Sequence, residues 1–198
     1  MGTGIIILAA GNSSRMGKPK QLMTYLGRTF LDIITMEALE TKCAPVIVVL
    51  GAHAEEIAAQ QHQQQEHISH IVNKSWQQGM SSSIIAGLSE AIKTDPKVDN
   101  IILTVADQVF IKSAVLESLI LKQQSSGKGI VASSYSGTLG TPALFNKKYF
   151  DALLSLQGEN GAKSLIKLYN EDVDAIDFEL GHIDIDTEQD YKHLIQSQ

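Results

Sequence analysis

Basic side chains and glycines cluster in one segment, Leu8-Ala-Ala-Gly-Asn-Ser-Ser-Arg-Met-Gly-Lys-Pro-Lys-Gln-Leu22. Gly11 and Gly17 allow backbone N–H groups to approach a ligand closely, while Arg15, Lys18 and Lys20 bring positive charge to the same place. No acidic residue lies between Gly11 and Lys20. Phosphate combines negative charge with several acceptor oxygens, so this segment, here called the basic loop, is a candidate phosphate site.

The spacing in the basic loop differs from two common phosphate-binding motifs. A P-loop follows the pattern G-x-x-x-x-G-K-[ST]. Here five residues separate Gly11 from Gly17, and Pro19 follows Lys18. The G-x-G-x-x-G pattern of dinucleotide sites does not occur in the segment either. An ordinary solvated loop is the alternative, but three cations without an acid in an acidic chain favour an anion site.

Carboxylates that could hold a metal stand at two other points of the chain. Asp107 follows the apolar run Ile101–Ala106, so a buried strand would bring it to the same sheet edge as the basic loop. Asp184 and Asp186 alternate with Ile185 and would share one face of an extended segment, where either could bind a cation such as Mg²⁺. A helix N-cap is the alternative role for Asp107 and for Asp186. The metal role is favoured for Asp107, whereas both roles stay open for Asp186.

The charge distribution limits the classes of partner. The formal net charge is −6; residues 1–31 carry +4, which leaves −10 for the remainder. Arg15 and Arg28 are the only arginines, and nine acids with no Lys or Arg lie between Glu171 and Asp190. Nucleic-acid binding favours broad basic surfaces, so we expect small-molecule ligands and no nucleic-acid partner.

Length and composition predict one domain over residues 1–198, since 198 residues with 43% hydrophobic content can bury a sizeable core. The apolar run Ile5–Ala10 is too short to span a bilayer and has no basic flank, so we expect no membrane association and a cytoplasmic location. A single cysteine, Cys43, excludes an intramolecular disulfide and a cysteine-based zinc site.

Short β-branched runs alternate with longer amphipathic stretches, which predicts βαβ units around a parallel sheet. The predicted strands are Ile5–Ala9, Val46–Leu50, His67–Val72, Ile101–Val105, Gly129–Ala132, Ala143–Phe145, Val173–Phe178 and His182–Ile185. The predicted helices are Thr29–Thr41, Ala54–Gln65, Ser82–Lys93, Ser113–Gln124, Lys147–Ser155, Gly161–Tyr169 and a last one from Thr187. A turn is expected at Gly140–Pro142. Such a sheet would position the basic loop and Asp107 at one edge.

The basic loop resembles the signature L-A-A-G-x-S-x-R-M-G-x-x-K of the MobA-like nucleotidyltransferases, most closely the CTP:molybdopterin cytidylyltransferase branch. Further motifs follow in the family order: Asn73 with Trp76, Gly79-Met-Ser-Ser-Ser83, Val105-Ala-Asp-Gln108, Gly140-Thr-Pro142, Gly158-Glu-Asn-Gly161 and Asp184-Ile-Asp-Thr187. The resemblance implies an α/β, Rossmann-like three-layer fold with a mostly parallel central sheet. It also implies Mg²⁺-dependent transfer of a nucleoside monophosphate to a phosphorylated small-molecule acceptor, with release of pyrophosphate.

The resemblance also implies roles for individual residues. Those implied to bind the nucleotide are Leu8, Ala9, Ala10, Gly11, Ser13, Ser14, Arg15, Lys20 and Ser83. Arg15, Lys20 and Asp107 would be catalytic, and Asp107 with Asp186 would hold Mg²⁺. Gly140, Pro142 and Gly161 would bind the acceptor. Without the resemblance, the residues have simpler interpretations. Ser81–Ser83 would cap a helix, and Trp76 would be a packing residue.

The expected nucleotide and acceptor depend on a few individual residues of the family motifs. Ala10 stands where the guanylyl branch usually has Gly, which favours CTP over GTP, and the resemblance implies molybdopterin as the acceptor. The sequence departs from the family pattern at Val109, Thr141, Glu159 and Lys163. The last three lie on the acceptor side, so a sugar or polyol phosphate is the alternative acceptor. A non-catalytic nucleotide-binding module is disfavoured because both candidate metal carboxylates are present.

Overall fold

A seven-stranded sheet forms the centre of the computed structural model, which describes residues 2–60, 67–159 and 161–196. The strands are β1 (Gly2–Ala9), β2 (Thr24–Tyr25), β3 (Arg28–Thr29), β4 (Val46–Leu50), β5 (Ile68–Val72), β6 (Val98–Val105), β7 (Ile130–Tyr135), β8 (Thr138–Asn146) and β9 (Val173–Asp177). The helices are α1 (Phe30–Glu40), α2 (Ala54–Gln60), α3 (Met80–Thr94), α4 (Ser113–Ser126), α5 (Phe150–Leu154), α6 (Lys163–Leu168) and α7 (Glu188–Gln196). β2 and β3 form a separate hairpin.

The sheet has the strand order β5-β4-β1-β6-β8-β7-β9. β1 pairs in parallel with β4 and β6, β4 with β5, and β7 with β9, whereas β8 is antiparallel to both neighbours. The predicted α/β fold with a mostly parallel sheet is therefore confirmed. Because β1, β4 and β6 are parallel, the loops after Ala9, Leu50 and Val105 leave the sheet at the same edge, where open α/β sheets bind ligands.

Helices cover both faces of the sheet, which gives three layers. Ile6 packs in one buried cluster with Leu88 of α3, while Ile5 packs in a second cluster with Leu31 of α1. Successive strand residues point to opposite faces, so β1 is buried on both sides and its apolar run is continuous. Gly87 lets α3 approach closely, because an added Cβ would lie 2.6 Å from the Cγ2 of Ile6. No helix of the described residues is long and apolar enough to cross a membrane.

Most predicted elements are present with shifted ends. The strand predicted at Ala143–Phe145 lies near the C-terminal end of the longer strand β8. The helix predicted over Ala54–Gln65 is seen as far as Gln60, and residues 61–66 lie outside the described residues. The last helix begins at Glu188 rather than Thr187.

Three local predictions are wrong. His182–Ile185 is not a strand, because His182 is the last residue of a 3₁₀ turn over Glu179–His182 and Ile185 is buried in the loop that follows. Gly140–Pro142 is not a turn but part of β8, since the chain reverses at Ser136–Gly137, where both residues have positive φ. The serines 81–83 provide no N-cap, because α3 starts at Met80 with Gly79 as the cap residue.

Candidate active site

The basic loop leaves the carboxyl end of β1 and is closed by contacts between its two ends. The Lys20 backbone N–H donates to Ser13 Oγ at 2.9 Å. The Gln21 side-chain amide donates to the carbonyl oxygens of Ala9 (2.7 Å) and Gly11 (3.2 Å). Ser13 has a φ of +50°, a backbone conformation that few side chains adopt without such support. The loop is therefore held in shape by its own residues.

Opposite charges meet at the centre of the site. Lys20 Nζ lies 2.8 Å from Asp107 Oδ2 and 2.7 Å from Asp186 Oδ1. Arg15 Nη2 lies 2.6 Å from Asp186 Oδ2. The structure thus brings together the two basic and the two acidic side chains that the sequence singled out, although they are separated by up to 171 positions.

These ion pairs shift the pKa values of their members. Burial lowers the pKa of Lys20, but Asp107 and Asp186 outweigh it and raise that pKa overall. The hydrogen bond from Lys20, assisted by Arg15, holds the pKa of Asp186 below its usual value. The pKa of Asp184 is raised by burial and by the nearby charges of Asp107 and Asp186. Asp186 is thus stabilised as a carboxylate, whereas Asp184 is not.

A small apolar cluster positions the charged side chains. Met16 of the basic loop, Val109 just after Asp107, and Ile185 just before Asp186 are all at most 8% exposed and pack together around Phe30. Each of these three apolar residues lies within two positions, along the chain, of a charged residue of the site. Because the apolar side chain is buried in the cluster, the charged side chain next to it is directed to the sheet edge. None of the described members of this cluster belongs to the seven-stranded sheet, although Tyr25 of the β2–β3 hairpin packs against it.

Neither aspartate caps a helix. Thr187 and Asp190 cap α7 reciprocally, because Thr187 N–H donates to Asp190 Oδ2 at 2.7 Å and Asp190 N–H donates to Thr187 Oγ1 at 3.2 Å. Asp107 lies upstream of α4, whose first N–H group, that of Ser113, donates to Glu37 at 2.7 Å. The capping alternative is therefore excluded for Asp107 and Asp186.

The start of α3 forms the opposite wall of the site. Gly79 has a φ of +99°, and an added Cβ there would lie 2.4 Å from the carbonyl oxygen of Gly158. The Asn73 amide donates to the hydroxyls of Ser82 (2.8 Å) and Ser83 (3.0 Å). These contacts fix the first turn of α3, and with it Ser83, beside the carboxyl end of β1.

A cavity of about 640 Å³ lies between the basic loop and this wall. Every nucleotide-binding, catalytic and metal residue predicted from the sequence lines it, namely Leu8, Ala9, Ala10, Gly11, Ser13, Ser14, Arg15, Lys20, Ser83, Asp107 and Asp186. The remaining lining residues are Asn12, Gln21, Trp76, Gln77, Gly79, Met80, Val105, Ala106 and Glu159. Its size is in the range of small-molecule sites.

The predicted acceptor residues do not line this cavity. Gly140 is buried against Tyr135, and Pro142 is buried in β8, where its carbonyl oxygen accepts a hydrogen bond from Ser133 at 2.7 Å. Gly161 contacts Met80, which does line the cavity. An acceptor role for Gly140 and Pro142 would therefore be indirect, through the strand that they build.

Asp107 and Asp186 have the chemistry and the convergence that a hard cation requires. Both carboxylates direct an oxygen at one positive centre, the Lys20 ammonium, which occupies the point where a divalent ion would be bound. Mg²⁺ is commonly held by one or two carboxylates, with water and substrate phosphates completing its shell. No group of three or more His, Cys, Asp or Glu side chains suited to a metal occurs in the part of the chain that the structure describes. The pair fits a cation that arrives with a phosphate ligand.

Two cavity residues were not assigned to the site from the sequence. Trp76, the only tryptophan of the chain, is half-buried against the core, as the sequence interpretation expected, and it also lines the cavity. Gln21 follows the last residue of the loop signature, and its buried amide contacts the loop backbone. A family motif marks the neighbourhood of both positions, but only the fold shows that they face the same space.

The fold and the site together show that this protein has the Rossmann-like nucleotidyltransferase fold. The chain belongs to the MobA-like NTP transferase domain family, whose model matches residues 5–174.

Related proteins differ in the reactions that their names state. Nicotine blue oxidoreductase of Paenarthrobacter nicotinovorans is 29% identical, over 96% of this chain and 95% of the relative. The molybdenum cofactor cytidylyltransferase of Escherichia coli is 27% identical, over 94% of this chain and 92% of the relative. The crystal structure of Rv0371c from Mycobacterium tuberculosis has a TM-score of 0.84 at 25% identity and covers 99% of this chain and 98% of its own. A manganese complex of Rv0371c has a TM-score of 0.80 at 24% identity and covers 100% of both chains. Membership of the MobA-like NTP transferase domain family, rather than the name of any one relative, makes the chain a nucleotidyltransferase.

Proposed function

We propose that this nucleotidyltransferase transfers CMP from CTP to the terminal phosphate of molybdopterin or its metal-loaded form, with release of pyrophosphate and with Mg²⁺ as the cofactor. The observation that carries the proposal is the convergence of Arg15, Lys20, Asp107 and Asp186 beside the carboxyl ends of β1 and β6. Phosphoryl and nucleotidyl transfer depend mainly on positioning and on charge stabilisation, which is what such a site supplies.

Lys20 and Arg15 would exchange their carboxylate partners for phosphate oxygens when the triphosphate binds. Arg15 is well suited to this exchange, because its side chain is 68% exposed and its planar guanidinium can contact two phosphate oxygens at once. Lys20 lies deeper, at 16% exposure, where its charge is screened less by water. Together they would stabilise the charge that develops on pyrophosphate as it leaves.

Asp107 and Asp186 would hold the Mg²⁺ ion once Lys20 has moved to the phosphates. The bound ion would neutralise charge on the phosphate oxygens of the nucleotide. The acceptor phosphate is already ionised near neutral pH and needs no general base. The lack of a histidine among the cavity residues is consistent with this proposal.

CTP is supported by the segment Ala9-Ala10-Gly11, which resembles the cytidylyl branch, and by the E. coli relative that is named a cytidylyltransferase. The expected discrimination is moderate, since one methyl group in a pocket changes specificity by about 10- to 200-fold. Molybdopterin is supported by the same relative and by the room in the cavity. Trp76 and Met80 provide an apolar wall against which a flat ring could pack.

The nucleotide is tested by fluorescence of the single tryptophan, because Trp76 lies in the cavity wall. CTP, GTP, ATP and UTP are titrated in the presence of Mg²⁺. CTP is expected to change the emission at the lowest concentration. A GTP or ATP response at equal or lower concentration contradicts the choice of base.

The acceptor is tested by pyrophosphate release from Mg²⁺ and CTP. Purified molybdopterin, its molybdenum-loaded form, a sugar phosphate and a polyol phosphate are compared with an acceptor-free control. Release is expected with molybdopterin. Release with a sugar or polyol phosphate alone contradicts the acceptor and leaves the transferase activity standing. The Asp107→Asn variant serves as the inactive control.

A further inference from the structure

Gln21 is a buried polar residue at the end of the basic loop. The residue is 4% exposed, and it lies in the 3₁₀ turn Lys20–Leu22 that ends the basic loop. Both hydrogen-bond partners of its amide group, Ala9 O and Gly11 O, are acceptors, so the amide nitrogen must face them. The other atom of the carboxamide, Oε1, is buried without a hydrogen-bond partner.

The two carbonyl groups that Gln21 binds are separated by one peptide unit of the basic loop. A trans peptide is planar, and its C=O and N–H groups point in opposite directions. Fixing Ala9 C=O therefore fixes the Ala10 N–H on the opposite side of the loop, and fixing Gly11 C=O does the same for the Asn12 N–H. Ala10 and Asn12 both line the cavity.

The geometry points to Gln21 as the positioning residue that orients the Ala10 and Asn12 N–H groups toward the phosphate chain of the nucleotide. This inference rests on the proposed triphosphate site, because it assigns the loop amides to the same ligand. Gln21 does not touch the phosphates itself. It removes two carbonyl oxygens, which would repel an anion, from the side that the phosphates occupy. The neighbouring bond from Lys20 N–H to Ser13 Oγ closes the loop from the same turn.

Inorganic pyrophosphate is the probe, because it carries the phosphate chemistry without a base. Gln21→Met keeps the length of the side chain and removes both donated hydrogen bonds. Gln123→Met is the matched control, since Gln123 is also buried, also has an unpartnered Oε1, and lies in α4 outside the cavity. Binding is measured by isothermal titration calorimetry with Mg²⁺, and the melting temperature is recorded for each variant.

Gln21→Met is expected to bind pyrophosphate about tenfold more weakly, because the two hydrogen bonds that hold the loop carbonyls are lost. Gln123→Met is expected to bind like the parent. Equal binding by the parent and a folded Gln21→Met variant overturns the inference while leaving the proposed function in place. A parent that binds no pyrophosphate overturns the triphosphate site and the inference with it.

A second measurement needs no variant. In the parent protein, the amide protons of Ala10 and Asn12 are followed by NMR as Mg²⁺ and pyrophosphate are added. Both are expected to move downfield, as N–H groups do on bonding to phosphate oxygens. Pyrophosphate binding without a shift of either proton overturns the inference, even if Gln21→Met fails to fold.

Discussion

Replacing Lys20 with methionine is expected to have opposite effects on two ligands. The Lys20 ammonium lies between Asp107 and Asp186, at the point that we assign to the divalent ion. On this assignment, metal and lysine would compete for the same two carboxylates until a bound nucleotide drew the lysine away. Lys20→Met removes the competitor, so Mn²⁺ alone should bind more tightly. The same change removes a charge that the triphosphate needs, so turnover should fall by about 100-fold.

The size of the effect follows from the two ion pairs. At an effective dielectric constant of about 20, a unit-charge pair at hydrogen-bond distance has a Coulomb energy of about 6 kcal/mol, most of which the desolvation of both charges offsets. The three side chains are 16% to 32% exposed, so solvent screening reduces the remainder. A net stabilisation of about 1 to 2 kcal/mol for both contacts corresponds to a roughly tenfold change in metal affinity.

The assay counts free Mn²⁺ by electron paramagnetic resonance while the nucleotide-free protein is titrated near neutral pH. Lys18→Met is the control, because it removes a lysine of the same loop whose ammonium lies 5.6 Å from the Tyr191 ring centroid and forms no ion pair among the described residues. Tighter Mn²⁺ binding is expected for Lys20→Met only. Unchanged or weaker binding would refute the assignment of Asp107 and Asp186 to the metal.

Three further changes test other parts of the structure. Asp107→Asn should abolish metal-dependent turnover while the Trp76 fluorescence response to CTP weakens only in part; a variant that responds to Mg²⁺ like the parent contradicts the ligand assignment. Gly79→Ala should lower the free energy of unfolding by about 1 to 3 kcal/mol, because its Cβ would meet the Gly158 carbonyl; an unchanged denaturation midpoint contradicts this. Burial raises the pKa of Asp172, but hydrogen bonds led by that from Lys148 outweigh it and lower that pKa overall. The carboxylate therefore stabilises the folded chain above its unfolded pKa of about 3.9, and this contribution is lost as the pH falls through the lower folded value. Melting temperatures should thus fall less steeply below about pH 4 in Asp172→Asn than in the parent; parallel curves contradict the ion pair.

The sheet and the basic loop could be predicted because their signals are local. The run Ile5–Ala9 is apolar at every position, as a strand buried on both faces must be, and the loop follows it directly. The same reasoning placed Asp107 at the end of a buried strand. Parallel pairing then brings both segments to one edge without any knowledge of side-chain contacts.

The strand predicted after Phe178 is wrong because Ile185 is buried there without belonging to the sheet. Ile183 and Ile185 alternate with acids as in a strand, but Ile185 packs with Met16 and Val109 in the cluster beneath the site. Periodicity reports that a residue is buried and not which neighbours bury it. At Gly140–Pro142 the opposite error occurred: a turn was predicted because glycine and proline are typical of turns, but both residues lie within strand β8.

The pairing of Lys20 with Asp107 and Asp186 was beyond the sequence for a different reason. Each side chain was assigned to a ligand, the lysine to phosphate and the acids to metal, and no local pattern states what they contact without those ligands. Three charges held this close would destabilise the site if they were unpaired, so the chain supplies them with opposite partners in advance. On the proposed function, binding the metal and the nucleotide together would preserve the balance, because the carboxylates would hold the cation in place of Lys20, while Lys20 and Arg15 would contact the phosphates. Either ligand alone would leave one set of charges without a partner. Such an arrangement would favour joint binding of metal and triphosphate over binding of either one.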